Sequence, residues 1–238
     1  MRMGFRRGRW LVPLFAVLAL SALPTVAQDR HEAERAYQDL RRSVVRIEVR
    51  YPSIFASPGA GSGVVVGDGL IATADHLIDG ASEVSVVHAD ERRQRARIIR
   101  RVPAYDLALI RIERAEALVP IERHERPVTP GQCVLALGNV MNWGLGIFGG
   151  IVSLASDEPH PPDAGGGILT DITTPPGLSG GALVDCDDRT LVGIISFGVL
   201  ALTSAAPTAG IVGAVPVSRI EDLVTLEVAC SPTRHTPC

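Results

Sequence analysis

Short apolar segments separated by glycine, proline and charged residues run through most of this chain, and they limit its possible folds more than any other feature. Such segments, rich in Val, Ile and Leu, are typical of β-strands, and the 24 glycines and 17 prolines supply turns between them. The predicted strands of a first set are 43–49, 63–66, 70–72, 84–87, 96–99 and 107–112. A proline-punctuated connector over 119–130 precedes a second set at 133–137, 150–154, 167–170, 182–184, 191–196 and 210–216. The sequence therefore predicts an all-β protein of two similar halves, which favours paired barrels.

The N-terminal segment has the composition of an export signal. It begins with arginines at positions 2, 6, 7 and 9, continues as an apolar run over 10–23, and ends in small residues. We predict a signal peptide over residues 1–27 and no stable membrane insertion after its cleavage; an uncleaved anchor is the alternative. A charged, helix-forming lead-in at 28–42 follows, and a tail at 226–238 ends the chain. The protein is thus expected to be exported, periplasmic or secreted.

The charged residues exclude several kinds of chemistry. All 23 basic residues are arginine, so a Ser-Lys dyad, a Schiff base and a P-loop lysine are excluded. The net charge of −3 argues against a nucleic acid or an anionic membrane as partner. Arginines at 92, 93, 95, 97, 100 and 101 have no aromatic residues between them. We interpret them as the solvated face of a strand pair rather than a nucleic-acid surface.

Four cysteines fit an exported protein in which disulfides persist. Cys133 and Cys186 lie in two strand-like segments that can adjoin, while Cys230 and Cys238 can close a small loop at the tail. Four cysteines allow three connectivities, and the sequence does not choose among them. Because no Cys or His pair has metal-ligand spacing, we predict no metal site and no cofactor.

Three segments carry a hydroxyl, an imidazole and a carboxylate in contexts that suit a charge-assisted nucleophile. His76 follows a predicted strand, Asp106 opens another, and Ser179 stands within Gly177-Leu178-Ser179-Gly180-Gly181. In such a site the serine attacks, the histidine takes its proton, and the aspartate fixes the imidazole tautomer. The glycines let the backbone turn tightly, so that the N–H groups of Gly177 and Ser179 form an oxyanion hole.

These segments, in the order His76, Asp106, Ser179, resemble the trypsin-like (chymotrypsin-fold) serine proteases of the bacterial HtrA/Deg branch. The resemblance runs from about Ser43 to Ile220, and the motifs 61–65, 136–139, 149–153 and 213–216 also match. It implies two six-stranded antiparallel barrels within a peptidase domain at 43–225, with barrel one at about 43–118 and barrel two at about 131–225. The active site would lie in the cleft between them, and the substrate would be a polypeptide.

The resemblance also implies substrate-binding residues. The segment Ser196-Phe197-Gly198 is similar to the edge that pairs with the substrate backbone as an added strand. Thr173 stands where proteases that cut after basic residues carry an acid in the floor of the specificity pocket. A neutral residue there leads us to expect cleavage after small or medium apolar residues of exported or unfolded proteins.

Two departures from the family pattern leave alternatives open. Leu178 replaces a residue that is usually polar, and Ala182 replaces a proline. No PDZ domain fits into residues 221–238, so the family's trimer is not assumed and the oligomeric state stays undefined. The alternative function is a catalytically silent module that binds peptides or a protein partner. An esterase elbow also fits G-x-S-x-G, but it requires a following helix and the order Ser, Asp, His.

Overall fold

The computed structural model describes residues 26–53, 57–156, 167–173, 175–199, 211–220 and 223–224. Within them, twelve strands form two closed antiparallel barrels of six strands each. Barrel one contains β1 (Val44–Arg50), β2 (Gly59–Gly67), β3 (Leu70–Ala74), β4 (Glu83–Val87), β5 (Arg93–Val102) and β6 (Leu107–Arg111). Barrel two contains β7 (Cys133–Val140), β8 (Gly144–Ala155), β9 (Ile168–Thr170), β10 (Ala182–Asp185), β11 (Leu191–Val199) and β12 (Ile211–Pro216). The predicted fold class is confirmed.

The strand order is the same in kind for the two halves. It is β1-β2-β3-β6-β5-β4 in barrel one and β10-β11-β12-β9-β8-β7 in barrel two. A tight turn at Asp68 and Gly69 joins β2 to β3, as the sequence predicts. Gly69 has a φ of +63°, and a Cβ there would lie 2.5 Å from the carbonyl oxygen of Ile112. Only glycine therefore fits this turn without strain.

Helical segments are few and short. Helix α1 (Val26–Leu40) precedes barrel one, helix α2 (Asp75–Ile78) follows β3, and a 3₁₀ turn (Pro103–Tyr105) precedes β6. Residues 217–220 are also helical. Among the described residues, no helix has the length and apolar character needed to span a bilayer. The predicted signal peptide lies almost entirely, and the predicted tail entirely, outside the described residues.

The barrels share an apolar core, and this fixes the cleft between them. One buried cluster joins Leu109 of barrel one and Leu137 and Ile194 of barrel two, and it also contains Leu40 of α1. Each barrel has its own interior cluster in addition. Because interiors are packed at crystal-like density, side chains from the two barrels hold a defined relative position at the cleft.

Barrel two contains the disulfide Cys133–Cys186, which spans 53 residues of sequence with a Cα–Cα distance of 5.5 Å. It ties the start of β7 to the end of β10, two neighbouring strands whose register pairs Val134 with Asp185. The structure thus pairs Cys133 with Cys186, one of the pairings that the sequence left open. Cys230 and Cys238 lie outside the described residues.

Candidate active site

Asp106 is the centre of a hydrogen-bonded group at the cleft. Its Oδ2 accepts from the ring of His76 at Nδ1 (2.8 Å) and from the hydroxyl of Ser196 (2.5 Å). Its Oδ1 accepts from the backbone N–H of His76 at 2.7 Å. Because a carboxylate only accepts, the proton between ring and carboxylate belongs to His76 Nδ1. This leaves the Nε2 lone pair of His76 available to take another proton.

The local backbone explains how Asp106 reaches His76. Asp106 ends the 3₁₀ turn in the left-handed conformation, with a φ of +48°, and β6 begins at the next residue. Aspartate tolerates this conformation better than most side chains. Its carbonyl oxygen accepts from the N–H of Asp75 at 3.1 Å, which fixes α2 against the turn. The backbone thus fixes the positions of the Asp106 and His76 side chains relative to each other.

The pKa of the His76 imidazole is raised. The largest cause is the hydrogen bond to Asp106, and the negative charges of Asp106 and Asp75 add to it, while partial burial opposes it. The ring is half exposed, with 50% of its side-chain area accessible, whereas Asp106 is only 16% accessible. The carboxylate therefore holds the ring at Nδ1, while half of the His76 side chain stays accessible to solvent.

Backbone hydrogen bonds connect the segment of Ser179 to barrel one and to the strand that carries Ser196. Its carbonyl oxygen accepts from the N–H of Ser62 at 2.8 Å, and the following N–H, of Gly180, donates to Ile195 at 2.6 Å. The residue after Ile195 is Ser196, the hydroxyl partner of Asp106. No hydrogen bond joins Ser179 Oγ to the His76 ring within the described residues. In resting enzymes such catalytic bonds are often long and shorten when the substrate binds.

The loop before Ser179 presents two backbone N–H groups. The carbonyl oxygen of Pro176 accepts from the N–H of Met141 at 2.9 Å. Since the C=O and N–H of a trans peptide point in opposite directions, the N–H of Gly177 points away from Met141. Within the described part of the chain, neither the Gly177 N–H nor the Ser179 N–H has a backbone acceptor. Such a pair of unpaired donors can stabilise a developing oxyanion.

The carbonyl oxygen of Gly177 is held by Ser62. The hydroxyl of Ser62 donates to the carbonyl oxygen of Gly177 and accepts from the N–H of Asn139, both at 2.7 Å. Gly177 has a φ of +106°, and a Cβ there would lie 2.6 Å from the carbonyl oxygen of Asn139. The loop conformation therefore requires glycine at this position.

A profile of the trypsin-like peptidase domain matches residues 61–194, more than half of the chain. The chain belongs to the trypsin-like peptidase family. The probable periplasmic serine endoprotease DegP-like protein of Marinomonas sp. (strain MWYL1) is 36% identical over 142 residues, which cover 57% of this peptidase and 29% of the relative. The periplasmic serine endoprotease DegP of Salmonella typhimurium is 31% identical over 172 residues, covering 69% and 35% of the two chains.

Solved structures agree with this assignment. The serine endoprotease from Yersinia pestis is 27% identical with a TM-score of 0.68, covering 86% of this chain and 67% of its own. The HtrA-type protease AlgW with a tripeptide has a TM-score of 0.70 at 24% identity, covering 82% and 63%, which supports the fold. The peptidase is thus HtrA-like. It spans about a third of the length of the curated relatives it matches. Their names confirm the predicted exported, periplasmic location.

The family departure at Leu178 has a structural explanation in this peptidase. Leu178 is 1% exposed and belongs to the interior cluster of barrel two. Ala182 is also fully buried, where β10 pairs with β7 and β11. An apolar side chain before the serine therefore anchors the loop into the barrel.

The predicted substrate-binding residues come from two segments, one after β9 and one within β11. Thr173 is exposed after β9. Phe197 and Gly198 pair with Gly213 and Val212 of β12, and a register shift occurs at the preceding Ser196. The pairing of β10 with β11 ends at Ile194, so the backbone of 197–198 extends beyond β10. Ser196 also has a role that the sequence did not indicate, since its hydroxyl binds Asp106.

Sequence reasoning missed the ion pair behind His76. Arg101, at the end of β5, donates to both carboxylate oxygens of Asp75 at 2.5 and 2.8 Å and to Asp79 at 2.7 Å. Asp75 is only 4% exposed. The two aspartates raise the pKa of Arg101, with the Asp75 hydrogen bond as the largest cause. Asp75 and Arg101 are 26 residues apart, so the sequence gave no signal of their pairing, although Asp75 is visible there as the residue before His76.

We expect Arg101→Gln to destabilise the peptidase by about 2–3 kcal/mol, because the buried Asp75 would lose its counter-charge. This loss is smaller than the usual value of about 3–5 kcal/mol for a fully buried pair, because the Arg101 side chain is 31% exposed. Urea unfolding measures the loss. Arg100→Gln, an exposed neighbour on β5, is the matched control and should change stability by less than about 0.5 kcal/mol. Equal losses in both variants would contradict a structural role for the Asp75 pair.

One cluster within the described residues has the composition of a cation site. His124, Asp185 and Asp188 bring ligand atoms within 4.8 Å of one another. Their atoms already have partners: Thr190 binds both His124 and Asp188. Gln132 donates to Asp185 at 2.7 Å. We assign the cluster no metal.

Proposed function

We propose that this protein is a serine endopeptidase that cleaves polypeptides through an acyl-enzyme formed on Ser179. The observation that carries the proposal is the Asp106 group, because it fixes His76 with Nε2 as its free acceptor. The names of the relatives, which are periplasmic serine endoproteases, support the same reaction class. The substrates would be exported or unfolded proteins.

In the proposed reaction, Ser179 Oγ attacks the scissile carbonyl carbon while His76 Nε2 accepts its proton. The negative charge on the carbonyl oxygen is stabilised by the N–H groups of Gly177 and Ser179. When the tetrahedral intermediate collapses, the C–N bond breaks and the leaving amine takes the proton from His76. Water then repeats the sequence on the acyl-enzyme, with His76 as base, and releases the acid.

The substrate would lie along the cleft as an added strand. The backbone of Phe197 and Gly198 extends beyond β10, and Ser196 leads directly to the Asp106 group. Strand addition supplies main-chain hydrogen bonds, while pockets select side chains. The neutral Thr173 favours small or medium apolar residues before the scissile bond.

A fluorophosphonate probe tests the proposal, because it reacts with an activated serine and leaves a covalent adduct. Mass spectrometry of the labelled protein is expected to place the adduct on Ser179. Digestion of casein is expected to yield fragments whose new C-termini are small or medium apolar residues. Folded protein that takes up no label and cleaves no casein would instead indicate the silent binding module.

The oxyanion hole gives a separate prediction. Gly177→Ala should lower kcat by about 10²–10³-fold with a small change in KM, because the clash with Asn139 displaces a donor needed in the transition state. Initial rates on a fluorogenic peptide measure this effect. Gly131→Ala is the matched control, since its φ is also positive (+87°) but nothing lies within 4 Å of its Cβ. Equal losses of kcat in the two variants would contradict the proposed role of the Gly177 N–H in the oxyanion hole.

A further inference from the structure

A groove of about 850 Å³ lies on the outside of barrel one, where β4, β5 and β6 run side by side. We name it the arginine groove. The residues that line it come from 81–84, 94–98 and 111–114, and four of them are arginines: Arg95, Arg97, Arg111 and Arg114. Of the lining residues that the structure describes, two are acidic, Glu83 and Glu113. None of the candidate active-site residues belongs to it.

Strand alternation directs three of these arginines to the same outer face. Ala96 is 7% exposed and points into barrel one, so its neighbours Arg95 and Arg97 point outward. The register of β5 and β6 places Arg97 directly opposite Arg111. The barrel thus gathers guanidinium groups from two neighbouring strands on one outer face.

The arginines of this region fall into two groups. Arg93 and Arg101 of β5 form ion pairs with Glu48 and with Asp75 and Asp79. In contrast, Arg95 and Arg97 are exposed and form no ion pair with any described residue. Their charge is available to a ligand. The interpretation of the whole arginine run as a solvated face therefore separates into a paired part and an unpaired part.

The walls of the groove are held in place by polar contacts. The side-chain amide of Gln94 donates to the carbonyl oxygen of Arg114 at 2.7 Å and accepts from its N–H at 3.2 Å. Glu83 lies 3.7 Å from Arg50, which partly offsets its charge. Ile98, 41% exposed, adds an apolar surface at the same site. Charge and shape are thus fixed before any ligand arrives.

We propose that the arginine groove binds an acidic, extended segment of a polypeptide, at a site separate from the active-site cleft. Planar guanidinium groups bind carboxylates in a bidentate manner. Because the chain contains no lysine, the basic side chains of the groove are all guanidinium groups. Among the described residues of the lining there is no aromatic side chain on which a base can stack, which disfavours single-stranded nucleic acid. The glutamates in the groove would repel a continuous phosphate backbone, whereas a peptide can space its carboxylates around them.

The test uses the full exported chain with Ser179→Ala, so that binding is measured without hydrolysis and independently of the proposed reaction. A fluorescein-labelled peptide of alternating Glu and Ala is titrated by fluorescence anisotropy at low and at physiological salt. We expect saturable binding that weakens with salt. Arg97→Gln should lower the affinity about tenfold, the loss of one charge-assisted pair. Arg100→Gln, an exposed arginine of the same strand outside the groove, should leave it unchanged.

The outcomes separate the proposal from its rivals. Equal affinities in Arg97→Gln and Arg100→Gln, or no binding at low salt, would overturn it. Tighter binding of oligothymidine or of phosphatidylglycerol vesicles than of the peptide would overturn it in favour of those partners. Arg97 is exposed and forms no ion pair with a described residue, so the melting temperature of Arg97→Gln should not fall. If it does fall, Arg95→Gln serves as the second variant with the same expected loss.

Discussion

Ser179→Ala is expected to reduce kcat by about 10⁶-fold, because it removes the only atom proposed to form the acyl bond. A residual rate from the oxyanion hole and substrate binding would remain, about 10³–10⁴-fold above the uncatalysed reaction. The loop itself should persist. The contact of Ser179 that ties it to barrel one is made by its backbone oxygen, which accepts from Ser62. Initial rates on casein and on a fluorogenic peptide measure the loss.

The matched control is Ser153→Ala, an exposed serine of β8. It should keep the wild-type rate and the wild-type label with a fluorophosphonate. Ser179→Ala should take up no label and retain the wild-type melting temperature. A Ser179→Ala protein that cleaves within about tenfold of the wild-type rate would show that another group carries the reaction.

The strand pattern was readable from the sequence because turns and apolar runs are local signals. The structure differs most at β8, which begins at Gly144 rather than at 150. Its first half is glycine-rich and has low β-propensity, but continuous pairing with β7, beginning at Val140 opposite Gly144, overrides that preference. Strand β2 likewise starts earlier than predicted, at Gly59, because its glycine-rich beginning pairs with β1. Gly61 approaches Leu77 and the carbonyl oxygen of Ser179 too closely for any side chain.

The site was predictable only in part. His76, Asp106 and Ser179 stood in sequence contexts that carry chemical meaning, so they could be proposed from the chain alone. The hydroxyl of Ser196 and the guanidinium of Arg101 could not, because their partners lie 90 and 26 residues away. Only the barrel topology brings these pairs together. Residues whose proposed role is to orient others thus give no local sequence signal, whereas residues with a proposed chemical role stand in motifs that can be read.

Asp106→Asn is expected to reduce kcat by about 10⁴-fold while leaving the fold intact. The carboxylate accepts three hydrogen bonds from His76 and Ser196. An amide offers one oxygen in place of two. If that oxygen keeps the backbone N–H of His76, the NH₂ group faces Nδ1, which must then accept. The ring proton moves to Nε2, and His76 can no longer take the proton of Ser179.

Asp106→Asn should also shift the pH dependence of kcat/KM, because it removes the negative charge that raises the pKa of His76. General-base catalysis requires the neutral imidazole, so the raised pKa of His76 delays activity to higher pH. Losing the Asp106 bond lowers that pKa, and the acid limb of kcat/KM should move to lower pH. Asp79→Asn removes a nearby charge that does not bind His76, and it should leave the limb in place. NMR titration of the His76 ring measures the same pKa directly. An acid limb and a His76 pKa that are both unchanged in Asp106→Asn would contradict Asp106 as the group that sets the pKa of His76.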